Sequence, residues 1–301
     1  MLYARDATNA EGRRAQPGPR SYDGSMLRSV IALARSTHPG PAVAVTLVTV
    51  VLAIGAGLDA WRIVVLGLAV LANQVSVGLS NDWIDVDRDR AVGRVDKPVA
   101  RGLISEALAR NVAISAAILA LVLTIPLGWS ALLAHALFLV SAWAYNAGLK
   151  TTEFSVSPYV VSFGVLPLVV TLASAEPRLA APWALGAGAL LGVAAHFANV
   201  LPDLADDAAT GVRGLPHRVR VRASGVVIAV ALAGASALVV FGPGDVGIVQ
   251  AVGLGLALSL AAITAALTLS RPPTRLVFQL IIAAALVDVV LLALAGPRLF
   301  A

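Results

Sequence analysis

Long apolar stretches separated by short polar links follow one another along this chain of 301 residues. A helix that crosses a bilayer needs roughly 20 mostly apolar residues, and about nine stretches meet this requirement. The stretches are continuously apolar and do not alternate, which excludes membrane-spanning strands. The pattern predicts an all-α, polytopic membrane protein with about nine transmembrane helices. The predicted spans are 39–58, 62–80, 108–125, 128–146, 157–174, 183–201, 223–241, 246–269 and 276–296.

The composition agrees with this membrane class. The chain is 58% hydrophobic and 13% charged, with a mean hydropathy of +0.86, whereas soluble domains average about 25% charged residues. It contains no cysteine, which excludes disulfides, thiolate metal sites and cysteine nucleophiles.

The basic residues are distributed unevenly between alternate loops. Of the 22 lysines and arginines, all but Arg62, Arg178 and Arg298 fall in the N-terminal tail and in the loops of the same predicted side. The positive-inside rule therefore predicts a cytoplasmic N-terminus. Because the net charge of +5 follows the membrane topology, it indicates contact with membrane lipids rather than nucleic acid. Residues 1–34 begin with a polar segment that has no apolar signal core, so we expect a disordered cytoplasmic tail.

A dense acidic cluster, NDWIDVDRD at residues 81–89, follows the second apolar stretch. If the helix continues through it, Asp82, Asp85 and Asp89 share one helix face. Like charges at this spacing repel, and the negative end of the helix dipole adds to the repulsion. We therefore expect a bound cation to neutralise the cluster.

A second cluster, NVLPDLADDAATGVRG, repeats the arrangement after the sixth stretch, with Asn199, Asp203 and Asp207 four residues apart. Two oxygen-only clusters without His or Cys favour Mg²⁺. A solvated acidic loop is the usual meaning of one such motif, but two at equivalent helix ends favour a functional site. A calcium loop starting at Asp85 would need Gly and Glu where this chain has Arg90 and Asp96.

The paired clusters resemble the two signatures of the UbiA superfamily of intramembrane prenyltransferases. The first is N-D-x-x-D-x-x-x-D from Asn81 to Asp89, continuing as DRAVGRVDKPVARG, and the second is N-x-x-x-D-x-x-x-D from Asn199 to Asp207, followed by ATGVRGLP. The segment YNAGLK, from Tyr145 to Lys150, is similar to the family's Tyr and basic residue near the diphosphate. The likeness extends over nearly the whole chain from about Arg35.

The resemblance implies a prenyltransferase domain at residues 35–301, with its helices around a central cavity. The implied reaction is the Mg²⁺-dependent transfer of a prenyl group from a prenyl diphosphate to an aromatic or other lipophilic acceptor. It would take place in the cell membrane, with the active site open to the cytoplasmic side. The implied catalytic metal ligands are Asp82, Asp85, Asp89, Asp203 and Asp207. The implied substrate-binding residues are Asn81, Asn199, Arg94, Lys97, Tyr145, Lys150 and Arg213.

Two other functions stay open at this point. A terpene cyclase of the same superfamily would share the metal site but use no acceptor. An ion-coupled transporter could use intramembrane acids as a cation site, although such sites lie nearer the bilayer midplane. The remaining polar residues His135, His196 and Asp288 are predicted to be hydrogen-bonded packing residues.

Overall fold

The structure, a computed structural model, describes residues 22–201, 204, 211–219, 221–270 and 275–301, and its regular elements there are helices. An isolated β-bridge joins Ala180 to Phe300. The all-α prediction is therefore confirmed for these residues. The helices are α1 (Tyr22–Ser36), α2 (Pro39–Gly55), α3 (Ala60–Ile84), α4 (Val86–Ala91), α5 (Glu106–Thr124), α6 (Trp129–Ala147), α7 (Ser157–Leu172), α8 (Pro182–Val200), α9 (Leu215–Arg218), α10 (Val221–Phe241), α11 (Ile248–Ser270) and α12 (Arg275–Leu294).

Each predicted apolar stretch coincides with a helix, but not every helix has the length of a full span. Within the described ranges, six helices are long and apolar enough to cross a membrane, namely α3, α5 with its 3₁₀ extension, α6, α8, α10 and α11. Helix α2 qualifies only together with Met26–Ser36, from which it is bent by 59°. Helix α7 and the apolar part of α12 are shorter. Nine spans and a cytoplasmic N-terminus therefore stay predictions.

The predicted N-terminal tail overlaps the first helix. Helix α1 begins at Tyr22, inside the range 1–34. Residues 1–21 lie outside the described part of the chain, so the disorder expected there stays a prediction.

The helices surround a cavity of about 610 Å³. Neighbours in the chain pack on one another from α2 to α3 and from α6 to α8, and α12 packs back against α2. Residues of α2, α3, α6, α7, α8 and α12 line the cavity. Helix α5 covers α3, while α10 and α11 pack behind α8 and α12. The helices thus enclose a site whose walls come from distant parts of the chain.

Close backbone contact between α7 and α8 depends on two glycines. A Cβ atom on Gly188 would lie 2.3 Å from the carbonyl oxygen of Phe163, and one on Gly192 would lie 2.4 Å from that of Tyr159. Small residues allow membrane helices to approach closely and gain dispersion energy. This contact fixes the cavity wall formed by both helices.

We expect Gly192→Ala to lower the free energy of unfolding by about 1–3 kcal/mol, because the added methyl group would force the helices apart. Thermal unfolding in detergent measures the effect. Gly255→Ala in α11 is the matched control, since a Cβ there meets nothing within 4 Å and alanine favours the helix. Equal effects of the two changes would contradict this account of the packing.

Candidate active site

Two helices meet at Asp85, in the middle of the first acidic cluster. Helix α3 ends at Ile84 and α4 begins at Val86, so the helix expected to run through residues 81–89 is interrupted. Backbone hydrogen bonds nevertheless continue across the break, from Asp85 N to Asn81 O at 3.0 Å and from Asp89 N to Asp85 O at 2.8 Å. The three carboxylates consequently stay on one side and are buried, with Asp82 1%, Asp85 5% and Asp89 3% exposed.

Asp82 is held through one of its two oxygens. Its Oδ1 accepts a hydrogen bond from Lys97 Nζ at 2.6 Å and lies 2.8 Å from His38 Nε2. Lys97 also donates to Asn81 Oδ1 at 3.1 Å. Within the described ranges, Oδ2 of Asp82 is buried without a hydrogen-bond partner. Lys97 therefore balances the charge of Asp82 and leaves one oxygen unused.

Asp85 is paired with two cations. Lys150 Nζ donates to its Oδ1, and Arg88 Nη2 donates to its Oδ2 at 2.8 Å. Asn81 Nδ2 donates to the same Oδ2 at 3.2 Å. Burial lowers the pKa of Lys150, and the charge of Asp85 opposes that shift. Both oxygens of Asp85 thus have donors.

Asp89 is the least satisfied member of the cluster. Its nearest cation is Arg88, whose Nη2 lies 3.8 Å from Oδ1. Its Oδ2 is buried and accepts no hydrogen bond from any described residue. Burial raises the pKa of Asp89, and the neighbouring charge of Asp85 adds to the increase, while Lys97 and Arg88 oppose it. An additional cation at this position would remove the imbalance.

The protein's own cations relieve the repulsion expected in the cluster. Lys97, Lys150 and Arg88 each lie near at least one carboxylate. The carboxylates thus have cations beside them, as expected, but these cations belong to the protein, so the repulsion alone does not require a bound metal. What favours a metal is the pair of buried oxygens without donors, Oδ2 of Asp82 and Oδ2 of Asp89.

The two arginines predicted to bind the diphosphate, Arg94 and Arg213, differ in their position relative to the cavity. Arg94 forms a two-fold hydrogen bond with Asp96, at 2.9 Å for each contact, and this pairing lowers the pKa of Asp96 to about 2. Arg94 lines the cavity. Arg213 is exposed and, among the described residues, is not part of the cavity lining, although its neighbours Val212 and Gly214 are.

The other predicted substrate residues lie on the cavity wall. Tyr145 packs edge-on against Tyr159, with ring centroids 5.2 Å apart, and against His196 at 5.8 Å. Asn199 also lines the cavity. Asp203 and Asp207 lie outside the described residues, so their role as metal ligands stays a prediction.

The segment that follows the second acidic motif packs beside Lys150. Ser155 Oγ accepts a hydrogen bond from Leu215 N at 2.8 Å and lies 3.1 Å from His196 Nε2. A Cβ on Gly214 would lie 2.5 Å from the carbonyl oxygen of Lys150, so only glycine permits this approach. The chain after the second motif thus touches the residue that binds Asp85 of the first.

The cavity is polar at this end and apolar beyond it. Asp85 and Asp89 line one part, together with Arg88, Lys97, Lys150 and Asn146. Apolar side chains line the remainder, including Val45, Val48, Leu52, Phe138, Leu166 and Leu292. This arrangement suits a ligand with a charged head and an apolar body.

Three residues of the site were not predicted. Arg88 could have been inferred, because it stands one helical turn after Asp85. Asn146 follows Tyr145 in YNAGLK and donates to Ser80 Oγ at 2.8 Å and Val77 O at 2.9 Å. His38 carried no signal in the sequence, since only the tertiary fold brings it to Asp82.

The potential metal ligands of the site fit a hard divalent cation. Those in the described residues are carboxylate oxygens, and two of them have no hydrogen-bond partner there. Such ligands suit Mg²⁺. No three acidic or histidine side chains among the described residues form a complete metal site. The described carboxylates therefore supply only part of a coordination shell.

A comparison with known families decides the classification. The profile of the UbiA prenyltransferase family matches residues 42–296. The chain belongs to the UbiA prenyltransferase family. No protein of curated function matches it significantly in sequence.

Solved structures share the fold of this UbiA family member. A UbiA homologue from Archaeoglobus fulgidus bound to GPP and Mg²⁺ has a TM-score of 0.66 and 16% identity, over 88% of this chain and 99% of that one. A digeranylgeranylglyceryl phosphate synthase has a TM-score of 0.64 and 16% identity, over 90% and 99%. An apo UbiA homologue from Aeropyrum pernix K1 has a TM-score of 0.64 and 19% identity, over 81% and 94%. At these identities the likeness establishes the fold alone.

We expect Lys150→Met to lower the free energy of unfolding of this UbiA protein by about 1–3 kcal/mol. The change leaves Asp85 buried with fewer donors, and Arg88 compensates only in part. Chemical denaturation in detergent, without added metal, measures the difference. Adding Asp85→Asn should recover part of the loss, because the uncompensated charge is then gone.

Arg298→Met is the control for this change. Arg298 donates to Asp245 at 2.8 Å, but both side chains are exposed, so the loss should stay within about 1 kcal/mol. Similar losses for Lys150→Met and Arg298→Met would show that the Asp85 pair contributes no more than a surface ion pair.

Proposed function

We propose that this protein is a Mg²⁺-dependent membrane prenyltransferase that transfers a prenyl group from a prenyl diphosphate to an aromatic or other lipophilic acceptor. One observation carries the proposal: Asp89, whose buried Oδ2 has no hydrogen-bond partner among the described residues, lies with Asp85 in the lining of a largely apolar cavity. Family membership supports it, as does the A. fulgidus homologue bound to GPP and Mg²⁺.

The metal ligands would be Asp82, Asp85 and Asp89, joined by Asp203 and Asp207 of the second motif. Mg²⁺, when bound, would neutralise charge on the diphosphate as the carbon–oxygen bond breaks. The Asp89 side chain is the least engaged within the protein, since its Oδ2 has no hydrogen-bond partner among the described residues and Arg88 lies 3.8 Å from its Oδ1. Asn81 connects the cluster, because it contacts both Asp85 and Lys97.

The basic residues would bind the diphosphate by exchanging partners. Lys97 and Lys150 lie at the polar end of the cavity and are held by carboxylates. With these carboxylates holding Mg²⁺, both ammonium groups would be available to donate to phosphate oxygens. Arg94 and Arg213 remain candidates in the same role, the latter on the segment that packs beside Lys150.

The apolar part of the cavity would hold the prenyl chain and exclude water. Loss of diphosphate leaves an allylic cation, which water would otherwise capture. Walls such as Val48, Leu52 and Phe138 offer no nucleophile, and the ring of Tyr145 provides an electron-rich face at the polar end. The acceptor would attack the allylic carbon and then lose a proton.

We place the enzyme in the cell membrane as a nine-span protein, with a cytoplasmic N-terminus and the polar end of the cavity toward the cytoplasm. The distribution of lysines and arginines supports this orientation. Both acidic motifs follow apolar helices, at helix ends rather than mid-helix, which disfavours an ion-coupled transporter.

The direct test is binding of geranyl diphosphate to the purified protein. We expect saturable binding with Mg²⁺ and its loss on chelation with EDTA. Affinity that is the same with and without Mg²⁺ would overturn the proposal. Product analysis with and without a lipophilic aromatic acceptor then separates the two reactions, since a cyclised product formed without acceptor would indicate a terpene cyclase.

We expect Asp89→Asn to reduce turnover at least about 100-fold with little loss of stability. The change removes a charge that would bind the metal, whereas no described residue donates a hydrogen bond to the Asp89 side chain. Asp87→Asn is the matched control on the same helix, because the Asp87 side chain is 96% exposed. Initial rates at saturating Mg²⁺ and the unfolding midpoint are measured for both. Equal rates for the two variants would remove Asp89 from the site.

A further inference from the structure

The turn between α1 and α2 holds His38 in an unfavourable backbone conformation. His38 has φ 51° and ψ 64°, the left-handed region, and of the described non-glycine residues it alone has a positive φ. It also precedes Pro39, and the residue before a proline normally adopts an extended conformation. Such conformations persist where the surrounding structure enforces them, and they cluster at functional sites.

Helix α3 enforces this turn through a glycine. A Cβ on Gly78 would lie 2.4 Å from the carbonyl oxygen of Thr37, so the turn rests directly on the helix backbone. Gly78 stands one helical turn before Asp82, on the same face of α3. The backbone of the turn therefore packs against Gly78, and the side chain of His38 contacts Asp82.

His38 and Lys97 share a single oxygen of Asp82. His38 Nε2 lies 2.8 Å and Lys97 Nζ 2.6 Å from Oδ1, and the two nitrogens are 3.1 Å apart. Since a carboxylate can only accept hydrogen bonds, the 2.8 Å contact requires a proton on His38 Nε2, and the approach of Lys97 Nζ to Nε2 is then a close contact between two donors on one acceptor. If Lys97 moves away, Oδ1 keeps a donor. The His38 side chain is 38% exposed and lines the cavity, whereas Asp82 and Lys97 are buried.

We propose that His38 is a positioning residue that holds Asp82 in place when Lys97 leaves it for the diphosphate. This inference rests on the proposed function. Without His38, Oδ1 of Asp82 would have no described side-chain partner once Lys97 moved to the diphosphate. With His38, Oδ1 keeps a partner, and the carboxylate keeps the orientation that leaves Oδ2 available to Mg²⁺.

The test is His38→Gly, which removes the imidazole and tolerates the left-handed backbone. We expect an unfolding midpoint close to that of the wild type in the absence of metal, because relief of the backbone strain offsets the loss of the contact with buried Asp82. The Mg²⁺ concentration for half-maximal binding of geranyl S-thiolodiphosphate, an analogue that resists ionisation, should rise roughly 10-fold. His38→Asn, which tolerates this backbone and retains a donor, should show a smaller rise.

Two glycine variants separate positioning from packing. Gly78→Ala keeps the imidazole but displaces the turn, so it should also raise the Mg²⁺ requirement. Gly55→Ala is its matched control, because a Cβ there would lie 2.3 Å from the carbonyl oxygen of Ala293, between α2 and α12 and outside the cavity lining. It should lower the unfolding midpoint and leave the Mg²⁺ requirement unchanged.

Each outcome decides the inference. If His38→Gly lowers the unfolding midpoint and leaves the Mg²⁺ requirement at the wild-type value, His38 has only a structural role and the inference is wrong. If Gly55→Ala raises the Mg²⁺ requirement as much as Gly78→Ala does, loosened packing accounts for both and the inference is again wrong. If the wild type itself binds the analogue without Mg²⁺, the proposed function fails first and the role of His38 fails with it.

Discussion

Burying carboxylates at the end of an apolar helix is costly unless cations lie within hydrogen-bonding distance, and this constraint shapes the polar end of the cavity. Asp82 and Asp85 cannot be solvated by lipid, and burying them unpaired would cost several kcal/mol each. Lys97 and Lys150, which lie in two different segments, form ion pairs with these carboxylates. Because each pair joins residues distant in sequence, the pairs also fix where those segments lie. The same ion pairs therefore balance the charge of the site and determine its shape.

Hydrophobic packing makes these pairings possible. Lys97 belongs to the polar segment after α4, which would otherwise extend into water. Val99 and Ile104, close to it in sequence, are buried against Ala32 and Leu79, so the segment is anchored beside α3. On the opposite side, the 3₁₀ turn after α6 carries Lys150, with Gly214 packed against its carbonyl oxygen. Apolar contacts bring both ammonium groups close, and the carboxylates set their final position.

Much of the fold follows from hydropathy, because the bilayer requires long apolar helices, and all nine predicted stretches are helical. The motif spacing likewise predicted that Asp82, Asp85 and Asp89 share a face. The break at Asp85 was not predicted, because NDWIDVDRD contains neither proline nor glycine, the usual causes of a helix break. Pairings such as Lys97 with Asp82 are tertiary contacts, which local spacing does not encode. The left-handed turn at His38 was missed for the same reason, as the close approach to Gly78 that enforces it joins two separate helices.

The internal cations change the electrostatics of the proposed reaction. The five motif carboxylates, about two Mg²⁺ ions and a diphosphate of about −3 would together carry a charge near −4. With Lys97, Lys150 and Arg88 included, the total is near −1, so the complex approaches neutrality without Arg94 or Arg213. A lysine that moves from a carboxylate to a phosphate oxygen changes partner but not the total charge. On the proposed function, the site would pass from its metal-free to its loaded state by exchanging contacts over side-chain distances. Such an exchange needs no large rearrangement of the helices, which their close packing would resist.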